Sequence, residues 1–295
     1  MTGVVQMKWW LVFSAAILLT ACVPATPAGP GARGGLSVVA TTTILADLAR
    51  NAAGGRALVV SIAPAGAEIE EYSPKPEDAK KVSEASVIVI NGSGLEKWAE
   101  ALLRNKRSEA VVVTLTDDLP AIEGNPHMWF DVQLARKYVG KIRDALVNAD
   151  PGGRDSYLSA AAAYDAQLVA LDGDLKKRAA EVPAARRKLV TSHDAFPYFA
   201  KAYGFEIVGF AQPEPGKDPT PAELADLVEK VKAAGVPAIF VESQASPRLA
   251  ETLAKEAGVK KVVADLPTDS LQDKPADTYV GLMRTVMDRI VDALK

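Results

Sequence analysis

A recurring run of β-branched residues narrows the fold most. LSVVATT begins at Leu36, ALVVSIAP at Ala57, VIVING at Val87 and AVVVTLTD at Ala110. A second series follows, with KLVTSHD from Lys188, FEIVGFA from Phe205, AIFVES from Ala238 and KVVADL from Lys261. These runs are nearly continuous in apolar residues rather than alternating, the pattern of parallel strands covered on both faces. Helical patterns separate them, such as PEDAKKVSEA from Pro76, PAELADLVEKVKAAG from Pro221 and SPRLAETLAKEAG from Ser246. The last two open with Thr or Ser ahead of Pro and close at Gly, sound start and stop chemistry for a helix. Two sets of four strand–helix units predict an α/β protein.

Between the sets lies a stretch with no strand-like run. Tyr157, Ala161, Tyr164, Leu168, Leu171 and Leu175 recur there at alternating spacings of four and three, one apolar stripe of a long helix. At about 28 residues such a helix would be about 40 Å long. The expected architecture is therefore two lobes, each a parallel sheet flanked by helices, joined by one long rigid connecting helix. The lobes are assigned to 36–149 and 184–295 and the connecting helix to 150–183. A stiff strut of this kind limits hinge closure. The length of 295 residues agrees with about two domains at roughly 150 residues each.

The N-terminus reads as a targeting segment. Lys8 precedes the uncharged stretch WWLVFSAAILL, about eleven residues, too short for a hydrocarbon core that needs roughly twenty. LLTAC at 18–22 resembles the lipobox of bacterial lipoproteins, with cleavage before Cys22 and a diacylated thiol. Residues 1–21 are then a signal peptide and Cys22 a lipid anchor. The Pro-, Gly- and Ala-rich 22–35 is a flexible tether that cannot bury enough surface to fold.

Composition removes several function classes. One cysteine excludes an internal disulfide and Cys-rich zinc modules, and a pI near 5.6 gives no general reason to bind nucleic acid. No G-x-S-x-G, H-E-x-x-H or G-x-G-x-x-G occurs. GFAQPEPGKD from Gly209 has its glycines wrongly spaced for a phosphate loop, and Asp218 stands where a magnesium-ligating hydroxyl is required. With only two histidines, any metal site must draw its other ligands from carboxylates.

Open α/β sheets place ligands just past the carboxyl ends of their strands. Glu70 in GAEIEEYSPKP, His127 in NPHMWFD, His193 in TSHDAF and Asp269 in LPTDSL all fall in such loops, two per lobe. They are expected to converge across an interlobe cleft.

These loops carry a resemblance that spans nearly the whole chain. The sequence resembles the metal-specific solute-binding proteins of bacterial ABC importers, the zinc and manganese receptors. NPHMWFD matches that family's DPH-x-W-x-D, and SHDAFPYFAKAYG matches SH-x-AF-x-YFA-x-x-YG. TDSLQDKPADTYVGLM matches TDS with its D-x-Y-x-x-MM segment. EIEEYSPKP aligns with DPHEYEP-x-P and puts Glu70 where a histidine is usual, with Glu68 and Glu71 as alternatives. The resemblance implies capture of a divalent cation by Glu70, His127, His193 and Asp269. Delivery to the membrane permease of the importer follows, on the extracytoplasmic face, by a non-catalytic monomer held to the membrane through Cys22.

Two neutral imidazoles and two carboxylates balance a 2+ ion, and affinity should fall as pH drops through about 6.5. Replacing a histidine by Glu70 leans the donor set toward manganese, with zinc close behind and iron(II) admitted. Asp131 and Asp194 are candidates to orient ligands, as is Glu242, taken as an interlobe hydrogen-bond partner or a ligand. Trp129, Phe130, Phe196 and Tyr198 are expected to wall the cleft and core. The competing readings are a binder of a metal chelate or other small solute on the same scaffold, and a metallohydrolase with Glu70 or Glu242 as base.

Overall fold

All eight expected strands form where the β-branched runs lie. The structure is a computed structural model that describes residues 1–3, 35–212, 216–243 and 247–295. The lipid anchor at Cys22, the signal peptide and the tether expected from the sequence fall largely on 4–34, outside the described residues. Strands β1 (Leu36–Ala40), β2 (Ala57–Ser61), β3 (Val87–Ile90) and β4 (Val111–Thr114) make one parallel sheet in the order β2-β1-β3-β4. Val38 of β1 pairs with Val59 on one side and Val87 on the other. Every residue of β3 is buried, as a central strand covered on both faces must be. In the second lobe β5 (Lys188–Thr191) pairs in parallel with β6 (Glu206–Phe210), and β7 (Ala238–Glu242) with β8 (Lys261–Leu266).

Helices α1 (Thr43–Ala53), α2 (Pro76–Glu84), α3 (Ala99–Leu103) and α4 (Val132–Ala149) belong to the first lobe. The connecting helix is α5 (Arg154–Ala180), 27 residues long. After it come α6 (Pro197–Tyr203), α7 (Pro221–Ala234), α8 (Pro247–Ala257) and α9 (Tyr279–Leu294). The stripe from Tyr157 to Leu175 is buried throughout. It packs on α1 and α4 near one end and on α9 near the other. The approach to α1 is close: a Cβ at Gly54 would come within 2.7 Å of the Ala160 Cβ, and Gly54 also closes α1 with φ +58°. Arg136 forks onto both Asp165 oxygens from α4, and Arg178 reaches Asp288 and Asp292 on α9. Burial of the stripe outweighs these half-exposed ion pairs as a stabilising term.

Direct hydrogen bonds also join the lobes away from the strut. Gly66 N donates to Ser270 Oγ at 2.8 Å, and Leu271 N to Thr43 Oγ1 at 2.8 Å. Tyr279 N donates to Asp47 Oδ2 at 2.9 Å, and the Tyr279 hydroxyl to Trp129 O at 2.7 Å. The loop after β8 is thus bonded to the first lobe although it belongs to the second. Among the described residues no helix is long and apolar enough to cross a membrane.

Candidate metal centre

Each imidazole is held by its own neighbourhood before any ligand is considered. His127 follows the β4 loop and opens a short 3-10 turn, Met128–Phe130, that leads into α4. Asn125 Oδ1 accepts from His127 N and faces His127 Nδ1, both at 3.0 Å. Nδ1 is thus engaged by Asn125, and Nε2 is the nitrogen turned to the cleft. Pro126 O is held in turn by Asn91 Nδ2 at 2.9 Å.

His193 ends the loop that leaves β5. Ser192 N and His193 N both donate to Glu242 Oε1, at 3.1 and 3.2 Å, while Glu242 Oε2 contacts His193 Nδ1. Glu242 therefore acts within the second lobe, from the end of β7. The expectation of an interlobe hydrogen bond is thereby corrected: its contacts to the β5 loop lie within the second lobe, where Glu242 meets the His193 ring. Burial alone would lower the His193 pKa, but the Glu242 carboxylate, with Asp269 and Glu68 beyond it, lifts it to about 10.

Four side chains from four loops come together. His127 Nε2 lies 3.3 Å from His193 Nε2, 3.4 Å from Asp269 Oδ1 and 3.8 Å from Glu70 Oε1. His193 Nε2 lies 3.7 Å from Asp269 Oδ2. Donor atoms about 2.1 Å from an ion at the tetrahedral angle stand about 3.4 Å apart. The distances from His127 Nε2 to His193 and to Asp269 are close to that edge length; the Glu70, His127 and His193 donors all lie within 4.8 Å of one another, and Asp269 turns one oxygen to each imidazole. Both Asp269 oxygens are buried and have no hydrogen-bond partner, and neither has the buried Glu68 Oε1. Acceptors left so are costly, and a cation is what would satisfy them.

Burial opposes ionisation at Asp269, but contact with His127 and the charge of His193 hold its carboxyl below the ordinary range. Burial raises Glu70, with His127 pulling against it. Burial and the neighbouring Asp269 push Glu68 up to about 7. Glu68 thus lies beside the cluster, whereas the Glu71 carboxylate rests against Gly216.

The other sequence candidates separate. Asp131 Oδ1 accepts from Gln133 N at 2.8 Å, so this acid caps α4. Asp194 meets Asn125 through its backbone oxygen at 2.6 Å and its carboxylate at 3.3 Å. Trp129 stands edge-on to His127 at 5.1 Å, and Phe130 packs on Phe196 at 4.7 Å across the lobes. Sequence reasoning missed Asn125. The available signal was an Asn two residues ahead of a histidine, a spacing at which its side chain bonds the following backbone.

The family model for zinc-uptake complex component A, periplasmic, matches residues 38–293. The chain belongs to this family. Among curated relatives of this family member is manganese-binding lipoprotein MntA of Halalkalibacterium halodurans, 37% identical over 267 residues, covering 88% of this chain and 89% of the relative. Iron-binding protein YfeA of Yersinia pestis is 36% identical over 263 residues, covering 86% and 84%. Among solved structures, periplasmic zinc binding protein TroA from Treponema pallidum superposes with a TM-score of 0.81 at 29% identity, covering 88% of this chain and 99% of that one. The two-lobed α/β architecture is thus shared along nearly the whole described body. The relatives of this zinc-uptake family member carry three different metals in their names, so family membership leaves the metal open.

Proposed function

We propose that this chain, as the substrate-binding component of a metal ABC transporter, holds one divalent cation between its lobes through Glu70, His127, His193 and Asp269. The observation that carries the reading is that Glu70, His127 and His193 turn donor atoms within 4.8 Å of one another, with the buried Asp269 carboxylate 3.4 and 3.7 Å from the two imidazoles. His193 sheds a proton from Nε2 on binding and keeps the Nδ1 proton toward Glu242, so it enters the site neutral. Two carboxylates then balance the charge of the ion. Donors this close leave room for a bare ion rather than a chelate.

Two nitrogens with carboxylate oxygens suit manganese, with zinc next and iron(II) after it. Manganese in the name of one relative and iron in that of another support an oxygen-tolerant site. The lobes of this reading are 36–149 and 184–295, with 150–183 as the strut. Cys22 anchors the mature chain on the extracytoplasmic face, and the cargo passes to a membrane permease.

Native mass spectrometry after dialysis against equimolar manganese, zinc and iron(II) tests the proposal. One retained divalent ion in the wild type, lost in His127→Ala and His193→Ala, is the expected result. No retained ion, or variants that bind as well as wild type, would overturn it.

A further inference from the structure

Asn125 makes a set of contacts that neither the fold nor the ligand set requires. Its Oδ1 accepts from His127 N and from His127 Nδ1, each at 3.0 Å. Its Nδ2 donates across the cleft to Asp194 O at 2.6 Å, with Asp194 Oδ2 at 3.3 Å. Two donors on one side and two acceptors on the other fix which end of the amide is oxygen. That assignment also makes Nδ1 the imidazole nitrogen that faces Asn125, which leaves Nε2 turned toward the cleft. The Asn125 main chain is held from the second lobe as well. The Tyr198 hydroxyl donates to Asn125 O at 2.9 Å while accepting from Ile122 N at 2.9 Å. Asp194 directly follows His193, and Tyr198 lies in the first turn of α6, so both partners belong to the His193 segment.

We propose that Asn125 is a positioning residue for cation capture, which aims His127 through its oxygen and yokes that imidazole to the His193 loop through its nitrogen. The two imidazoles then reach the ion as one unit, although they sit on different lobes. A bare hydrogen-bond acceptor at this position would orient His127 but could not make the yoke. An aspartate there would direct a negative oxygen at the Asp194 carbonyl and carboxylate. The two histidines consequently differ in kind, since His193 is held by a carboxylate within its own lobe and His127 by a neutral amide shared between lobes. The proposal rests on the metal-binding reading above.

The test compares Asn125→Ala, which removes both functions, with Asn125→Asp, which keeps the acceptor and removes the donor. Manganese affinity is measured by electron paramagnetic resonance of the free ion, and release by a chelator chase. The absorption spectrum of the cobalt(II) form reports ligand geometry, which a purely structural role would leave unchanged. Loss of an orienting partner typically weakens metal binding about 10–100-fold, so Asn125→Ala should fall in that range with an altered cobalt spectrum. Asn125→Asp should lose less affinity yet release manganese about tenfold faster than wild type, with both variants melting within a few degrees of it. Wild-type affinity, release and cobalt spectrum in Asn125→Ala would overturn the proposal. So would two variants that cannot be told apart, since the oxygen and nitrogen would then have no separable roles. Failure of the wild type itself to bind manganese, zinc or cobalt would instead overturn the metal-binding reading.

Discussion

The two acidic loops of the candidate centre are built in opposite ways. Asp269 has a side chain 1% exposed, in a loop bonded on either side of the cleft through Ser270 and Leu271. Glu70 is 28% exposed, in a loop held at its neighbours: Trp98 Nε1 donates to Ile69 O, and the Tyr72 hydroxyl donates to Asp78 Oδ2. One carboxylate is buried, in a loop bonded across the cleft. The other is a half-exposed wall that water can reach and replace. The difference gives Asp269 a buried, bonded setting and Glu70 the more exposed one.

The largest effect is expected from Asp269→Asn. Losing an orienting group costs about 10–100-fold in affinity, so loss of a buried ligand should exceed about 100-fold in a chelator competition. Glu70→Gln should cost about tenfold, because water can take the vacated position. A greater loss at Glu70 than at Asp269 would break the comparison. Glu70→His sharpens it from another side: an added nitrogen donor should raise the zinc-to-manganese affinity ratio, measured by competition between the two ions.

Thr43→Val removes the acceptor of Leu271 N and leaves a buried amide unpaired. A stability loss of about 1–3 kcal/mol by denaturant unfolding is expected. A fall in affinity should accompany it if the setting of Asp269 depends on that bond. The smallest effect concerns the anchor of the Glu70 loop. Burial would raise the Asp78 carboxyl, but the Lys75 amide, Lys81 and the Tyr72 hydroxyl together hold it below its ordinary value of 3.8. A lowered acid contributes stability that is present above its unfolded value and is lost as pH falls through the folded one. The difference in melting temperature between wild type and Asp78→Asn should therefore persist at pH 6 and vanish progressively below about pH 3.8.

Much of the fold was legible because its signals are local. Val87–Ile90 reads as a central strand from four consecutive β-branched residues, and all four are buried. The stripe from Tyr157 to Leu175 reads as one helix from its spacing, and the observed 27 residues are close to the 28 expected. Of the candidate site, the loops that bring Glu70, His127, His193 and Asp269 near one another carry motifs visible in the sequence. The partners that aim them were less so. Asp131 caps α4, a contact the sequence pattern of an acid at a helix start allows but does not single out. Glu242 was placed across the cleft but acts within its own lobe, since strand ends do not reveal which neighbour they will face.

Strand runs, the apolar stripe and helix start and stop residues are set by short-range sterics and periodicity, so the chain alone specified an α/β scaffold with a long strut and ligand-type residues at strand ends. Convergence is a different matter. Gly66 and Ser270 meet across 204 positions, and Asn125 and Asp194 across 69. Such pairings depend on how two lobes dock on one helix, which no local pattern encodes. Tertiary packing decided that Asp269 would be buried, Glu70 partly exposed and Asn125 bonded both to His127 and to Asp194. The physical reason is that burial and hydrogen-bond partnership are properties of assembled neighbours, and a residue acquires them only once distant segments are brought against it.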